Sequence, residues 1–333
     1  MTTRLAWVMG DPAGVGAELM AGLLAQVDLP GDAKVVVIGD RRVLRAGEAV
    51  VGAQLDLPVV TDLEAALASN APVVVLDLGN LDPATIERGQ VSAAGGASVL
   101  ENLRLAMRLA REGRVDAVSF TPFNKQALKL GGNPFNDELE FMLHELGVDD
   151  VVGEFNVADA LWNARVTSHV PLREVAGLLS VERIVDRLHL TDRTMRAAGI
   201  ANPRIVVAAL NPHAGEGGAF GHEDDAIIAP AVERAKAEGL DVAGPFPSDT
   251  VFLRARDGQY DAVLTMFHDQ GQIAIKLLGF DKGVTVLAGL PVPITTPAHG
   301  TAYDIAGQGK ANPEPTRRAF AMACALAEAK AAH

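Results

Sequence analysis

GDPAGVGAE, residues 10–18, follows the apolar run LAWVM (5–9) and precedes a segment of helical character. A strand, a glycine-bearing loop and a helix in that order mark a βα unit, and such loops cradle phosphates with backbone N–H groups. The glycines stand at Gly10, Gly14 and Gly16, which is not the G-x-G-x-x-G spacing of a Rossmann dinucleotide loop. The stretch therefore predicts an α/β fold and leaves open what its loop holds.

The same alternation continues outward. KVVVI (34–38), PVVVL (72–76) and DAVSF (116–120) are continuous apolar runs of strand length. Such runs fit a parallel sheet covered on both faces. ASVLENLRLAMRLAREG (97–113) has apolar residues at helical spacing and ends at a glycine. Further on, RVTSHV (165–170), RIVVAAL (204–210) and DAVLTMF (261–267) read as strands. SVERIVDRLHLTDRTMRAAG (180–199) and HEDDAIIAPAVERAKAEG (222–239) read as helices, the second with acidic residues at its start, where the helix dipole favours them. An Ala-rich helix is expected over 315–333. The fold class is α/β. There is no internal repeat and no low-complexity linker, so chain crossings between domains are expected near 129–137 and 289–297.

A chain of 333 residues has room for two domains. Hydrophobic residues make up 49% and charged residues 21%, a globular balance. The net charge of -13 argues against nucleic acid as a partner, because that partner rewards basic patches. The single cysteine, Cys324, sits among apolar neighbours and is expected in the core. The start MTTRLAWVMGDPAG lacks the apolar stretch of a signal peptide, and runs such as VVVI are too short for a bilayer. A cytoplasmic location and no membrane partner are expected.

Three histidines share one context. His169 in VTSHVP, His213 in AALNPHAGEGG and His268 in TMFHDQG each fall at the C-terminal end of a predicted strand. Ligands in open α/β sheets bind at those strand ends. Three imidazoles converging there would hold a divalent metal with a coordination position left open. The alternative is three separate loop histidines, since spacings of 44 and 55 residues are no local metal motif. Asp249, in GPFPSDTVF, falls at a helix start, where capping is the simplest role. Lys276, in QIAIKLLGF, either snorkels from an apolar helix or aims a cation at an anionic substrate. Asn124 and Lys125 follow the strand end SFTPF, where a solvated surface pair is the simplest reading. HGTAYDIAGQGKANP (299–313) is either a surface turn or a loop of small residues that lets a ligand reach the backbone.

HGTAYDIAGQGKANP resembles the adenosine-binding loop of the isocitrate/isopropylmalate dehydrogenase superfamily, and GDPAGVGAE resembles the loop after that superfamily's first strand. NPHAGEGG, GPFPSDT, FHDQGQIAIK and HGTA, in that order, resemble the 4-hydroxythreonine-4-phosphate dehydrogenase family of pyridoxal phosphate biosynthesis. The resemblance implies a cytoplasmic homodimer of two α/β/α domains, with the active site in the cleft between them. It places the first domain at 1–130 plus 295–333. The second, at 131–294, would carry the metal and substrate residues and the dimer interface. It implies NAD and one divalent metal (zinc, cobalt, nickel or magnesium) held by His169, His213 and His268, one of them contributed across the dimer interface. Asp249 and Lys276 match positions that contact substrate. His299, Asp304 and Asn312 match the adenosine pocket, and Gly14 lies in the loop expected near the nicotinamide. An aspartate at 304 accepts from a ribose 2′-hydroxyl and repels a 2′-phosphate, which favours NAD over NADP. The reaction expected is oxidation of a secondary hydroxyl, with decarboxylation if a carboxylate lies β to the new ketone. Lys125 is a candidate proton acceptor.

The chain departs from the family's pattern at the substrate. Glu138 and Leu139, in DELE, stand where the pattern has a His-Thr pair, and Thr285 and Ile294 stand where it has an Asn and an Arg on the substrate phosphate. A small hydroxy acid or diol without a phosphate at that end is therefore expected. A cis-dihydrodiol of an aromatic acid is one alternative. An acyltransferase of the same general fold is another, opposed by the histidines and the adenosine-type loop.

Overall fold

The computed structural model describes residues 3–26, 33–135, 137–148, 152–279 and 282–331. Along the chain the first elements are β1 (Arg4–Val8), α1 (Gly16–Leu24), β2 (Lys34–Gly39), α2 (Arg41–Val51), β3 (Val59–Val60), α3 (Leu63–Ala68), β4 (Val73–Asp77), α4 (Ala93–Arg111), β5 (Ala117–Phe120), α5 (Lys125–Leu130) and α6 (Glu138–Leu146). There follow β6 (Gly153–Ala158), β7 (Leu161–Arg165), α7 (Val181–Ala197), β8 (Ile205–Ala208), α8 (Ala229–Ala237), β9 (Val242–Phe246), α9 (Ser248–Arg256), β10 (Ala262–Thr265), α10 (His268–Gly279) and β11 (Val284–Ala288). The chain closes with β12 (Ile294–Pro297) and α11 (Glu314–Ala331). Two compact units form: Met1–Val151 with Leu290–His333, and Val152–Gly289. The stretch 137–148, assigned on sequence to the second domain, lies with the first unit. There Arg104 of α4 meets Glu145 of α6 at 3.0 Å.

In the first unit β3, β4, β2, β1, β5 and β12 lie side by side, all parallel. The apolar runs predict this directly, because strands covered on both faces have no polar side to show. Trp7 of β1 packs against Phe320 of α11 with ring centroids 4.5 Å apart and the rings tilted by 36°. Cys324 joins the same buried cluster. Burial pushes its thiol up to about 12.

In the second unit the order is β11, β6, β7, β10, β8, β9. The β11–β6 and β6–β7 pairs are antiparallel; β7, β10, β8 and β9 run parallel. Two sequence expectations change here. The strand expected over 165–170 ends at Arg165, so His169 lies in the loop beyond it. The helix expected from residue 222 opens as a π-helical turn (Asp224–Ile228) before α8 begins. Asp224 is fully buried. Its carboxylate accepts from the backbone N–H groups of Leu210 (2.8 Å) and Asn211 (3.1 Å), rather than facing a helix dipole. No helix among the described residues is long and apolar enough to cross a membrane.

Candidate functional site

The parallel strands β7, β8 and β10 end on one side of the second unit's sheet, and the three histidines stand in the segments that leave them. Thr167 ties two of those segments together: its N–H and its hydroxyl both donate to the carbonyl of Met266, at 3.1 and 2.8 Å. The rings of His169 and His268 come within 5.5 Å, centroid to centroid. His268 opens α10 with its Nδ1 2.7 Å from a carboxylate oxygen of Asp269. A carboxylate on Nδ1 favours the tautomer whose Nε2 lone pair faces outward, the arrangement common to metal-ligating histidines. That donor chemistry fits a divalent metal.

His213 lies apart, on a loop of unusual conformation. His213, Ala214 and Glu216 have φ of 54°, 55° and 42°, in the left-handed region that disfavours side chains. Each such residue costs on the order of 1–2 kcal/mol. The loop is held by Asp224 and by Asn211, whose Nδ2 donates to Asp224 (2.9 Å) and Glu223 (2.8 Å). Among the described residues, no three His, Cys, Asp or Glu side chains gather in one place as a metal site. The structure thus brings two of the expected ligands together and holds the third on a separate braced loop.

Two residues that the sequence reading passed over organise this end of the sheet. Gln270 accepts from the N–H of Met266 (2.7 Å) and donates to the carbonyl of Ala209 (2.7 Å) and the hydroxyl of Ser248 (2.8 Å). Ser248 in turn donates to Ala209 at 2.6 Å. The end of β8 and the starts of α9 and α10 are thereby pinned together. Asp249 is exposed in the first turn of α9 and does not cap it. Lys276 is exposed on α10, two turns after His268. Residues at i, i+4 and i+8 share a helix face, so His268, Gln272 and Lys276 line one side of α10. Thr285 of β11 is half-buried, and its Oγ1 accepts from Asn156 Nδ2 at 3.2 Å.

In the first unit, residues 10–18 meet residues 299–309. The N–H of Val15 donates to the carbonyl of Thr301 (3.0 Å) and that of Gly307 to Glu18 Oε2 (2.7 Å). Tyr303 donates to Asp11 Oδ2 at 2.6 Å. The glycines are required by this packing. A Cβ on Gly10 would fall 2.1 Å from the carbonyl oxygen of Thr121, and one on Gly14 would fall 2.8 Å from that of Thr301. Burial pushes the Asp11 carboxyl above the usual range, against hydrogen bonds from Tyr303 and from the N–H groups of Ala13 and Asn124. Beside the loop lies a cavity of about 80 Å³ lined by Gly14, Glu18, Val50, Arg88 and Gly307, among others. Ligand pockets run to roughly 300–1,000 Å³, so this volume holds a few waters and not a dinucleotide. Glu18 Oε1 and His299 Nε2 are buried without hydrogen-bond partners among the described residues. Acceptors left open in this way fit a ligand rich in hydroxyl and amino groups. Asp304 and Asn312 are exposed on the same segment, and Asn312 Oδ1 accepts from the N–H of Glu314 at the start of α11.

Asn124 caps α5 by accepting from Ala127 N–H at 3.0 Å, which replaces the solvated role read for it. Lys125 pairs with Glu138 at 3.1 Å, a partnership that sequence spacing did not suggest. Leu139 is half-buried beside it. Ile294 is fully buried in β12, opposite Val118.

Residues 32–323 match the family described as pyridoxal phosphate biosynthetic protein PdxA. A protein of Rhizobium meliloti, named putative 4-hydroxythreonine-4-phosphate dehydrogenase 2, is 51% identical over 328 residues, covering 98% of this chain and 94% of the relative. The D-threonate 4-phosphate dehydrogenase of Pectobacterium atrosepticum is 38% identical over 328 residues, covering 98% of this chain and 100% of the relative. The crystal structure of 4-hydroxythreonine-4-phosphate dehydrogenase from Klebsiella pneumoniae superposes with a TM-score of 0.81 at 38% identity, covering 98% of this chain and 100% of that one.

Proposed function

The chain belongs to the pyridoxal phosphate biosynthetic protein PdxA family and is a dehydrogenase of that family, and from this premise we propose that it oxidises a secondary hydroxyl of a small hydroxy acid with NAD and a divalent metal. The observation that carries the reading is the pairing of His169 with His268, whose Nδ1 faces Asp269. These two residues and His213 are the proposed ligands. Three imidazoles favour zinc, cobalt or nickel over magnesium in affinity. When bound, a divalent metal lowers the pKa of the substrate hydroxyl and holds its polar neighbour.

The protein's own groups do the rest. Asp249 and Lys276, exposed on α9 and α10, orient the substrate's polar groups. NAD, when bound, would supply the hydride acceptor for the carbinol carbon, and a base of this chain would take the hydroxyl proton. Lys125 is the candidate base; held as an ammonium against Glu138, it must first leave that pair and give its own proton to solvent before it can accept one. His299, Asp304 and Asn312 hold the adenosine half of NAD, and Gly14 lets the 10–18 loop seat close to the cofactor. The working enzyme is proposed to be a cytoplasmic homodimer, with His213 on its braced loop as the ligand offered toward the other subunit's metal.

The substrate is proposed to lack a phosphate at the end facing Thr285. Ile294 offers no donor, Thr285 offers one hydroxyl, and Glu138 and Leu139 bring a charge-paired carboxylate and an apolar side chain. The test follows absorbance of reduced nicotinamide with metal-loaded and metal-stripped enzyme. It compares 4-hydroxythreonine 4-phosphate, D-threonate 4-phosphate, D-threonate and aromatic cis-dihydrodiols. Turnover by the metal-loaded protein alone, faster on the unphosphorylated compounds, is expected. A kcat/KM of about 10⁴ M⁻¹s⁻¹ or above on 4-hydroxythreonine 4-phosphate would overturn the substrate reading.

A further inference from the structure

Arg165 lies at the end of β7, and its side chain is only 2% exposed. Its Nη2 pairs with Glu154 Oε1 at 2.5 Å and donates to Asn156 Oδ1 at 3.0 Å, while its Nε and Nη1 are buried with no hydrogen-bond partner among the described residues. A buried ion pair seldom adds stability over apolar side chains of the same volume. A buried guanidinium with orphaned N–H groups adds less still, so a structural reason for this charge is weak.

The consequence lies two hydrogen bonds away. Asn156 Oδ1 also accepts from Gln272 Nε2 at 2.6 Å. Guanidinium groups only donate, so the Asn156 oxygen must be the atom facing Arg165 and its amide nitrogen the atom facing Thr285. That nitrogen donates to Thr285 Oγ1. An amide nitrogen accepts nothing, so the hydroxyl hydrogen of Thr285 cannot return the bond. It is left to donate outward from a half-buried position.

We propose that Arg165 and Asn156 are positioning residues that fix Thr285 as a one-way hydrogen-bond donor, and that the substrate group it meets is an oxyanion. The inference rests on the reading that Thr285 faces the substrate. A carboxylate and a phosphate share this chemistry, and one hydroxyl donor matches the smaller charge of the carboxylate. A donor-only group such as an ammonium is rejected, because it would face a hydrogen and not a lone pair.

The test is calorimetric binding of D-threonate and of D-threonate 4-phosphate to the NAD-loaded protein and its variants. Turnover is measured separately, so that failure of the dehydrogenase reading registers independently. Thr285→Val removes the donor and is expected to weaken binding about tenfold to a hundredfold. Asn156→Asp offers Thr285 an acceptor, turns its hydrogen inward and is expected to weaken binding by a similar factor. The double variant binds no more weakly than either single one, because both remove the same bond. Thr285→Ser, which keeps the hydroxyl, recovers most of the affinity lost in Thr285→Val. Equal losses for both compounds identify the carboxylate as the group at Thr285; a loss confined to the phosphate ester identifies the phosphate. Multiplying losses in the double variant, unchanged binding in Asn156→Asp, or no binding of either compound by the unmodified protein overturns the proposal.

Discussion

In the first unit β2 reads KVVVIG and β4 reads VVVLD; in the second, β6 reads GEFNVA and β7 reads LWNAR. The first sheet keeps its charged residues, Arg4, Lys34 and Asp77, at strand ends, and its buried polar groups are neutral, such as Ser119 and Thr295, which hydrogen-bond to each other at 3.1 Å. The second buries an arginine and two asparagines on one face, with the half-buried carboxylate of Glu154 beside them. Their loops differ in the same way. The 10–18 loop lies close against other backbone, where glycine leaves room, with Asp11 and Glu18 accepting hydrogen bonds from Tyr303 and Gly307. The 211–218 loop is strained and held by the carboxylate of Asp224. A loop of the first kind is disturbed by added bulk, and one of the second kind by a lost charge partner.

The largest test of that contrast is at the strained loop. His213→Ala, or removal of the metal by chelation, is expected to lower kcat/KM by about a thousandfold, since Lewis-acid stabilisation is worth several kcal/mol. The melting temperature of His213→Ala should stay near that of the parent, because the side chain is exposed and Asp224 still braces the loop. A parallel fall in melting temperature would make His213 a structural residue.

Next comes the charged face. Arg165→Leu leaves Glu154 without its partner and is expected to cost about 3 kcal/mol in urea denaturation. Adding Glu154→Leu should restore most of it. If the double variant is as unstable as the single, the pair is a net stabiliser and the contrast between the sheets narrows. On the backbone-seated side, Gly14→Ala forces a Cβ to 2.8 Å from Thr301 O. Overpacking of this kind is worth about 1–3 kcal/mol, and the KM for NAD should rise while that for substrate holds.

A smaller effect is expected at Asp304. Asp304→Ala should narrow the NAD-over-NADP ratio of kcat/KM by about tenfold, the worth of one hydrogen bond to a charged acceptor. Equal use of both cofactors by the parent enzyme would remove residues 299–312 from the cofactor site. The smallest effect belongs to Cys324. Its thiol is pushed up to about 12 by burial, so the reactive thiolate stays scarce until the pH approaches that value. Maleimide at pH 8 should leave the folded protein unlabelled and label it fully in denaturant.

Much of this molecule is legible one segment at a time. The apolar runs mark β1, β2, β4, β5, β8 and β10 because burial on both faces writes itself into consecutive residues. The ordered motifs around His213, Asp249, His268 and His299 name the family because close backbone packing and ligand chemistry restrict residue types locally. The partnerships that set the site's polarity are not local. Asn156 meets Thr285 129 positions away, and Tyr303 meets Asp11 292 positions away. Asp224 sits where helix-start acids are common, so periodicity reads it as a dipole partner, and only the returning 210–211 backbone makes it an anchor. Glu138 reads as an unmatched charge until the fold sets Lys125 at 3.1 Å. Gln270 and Ser248 look like ordinary polar residues until three element ends converge on them. Apolar burial needs no particular partner and is visible in composition and spacing. A hydrogen bond or an ion pair needs one specific atom within about 3 Å, and which atom arrives there is decided only when the whole chain has folded.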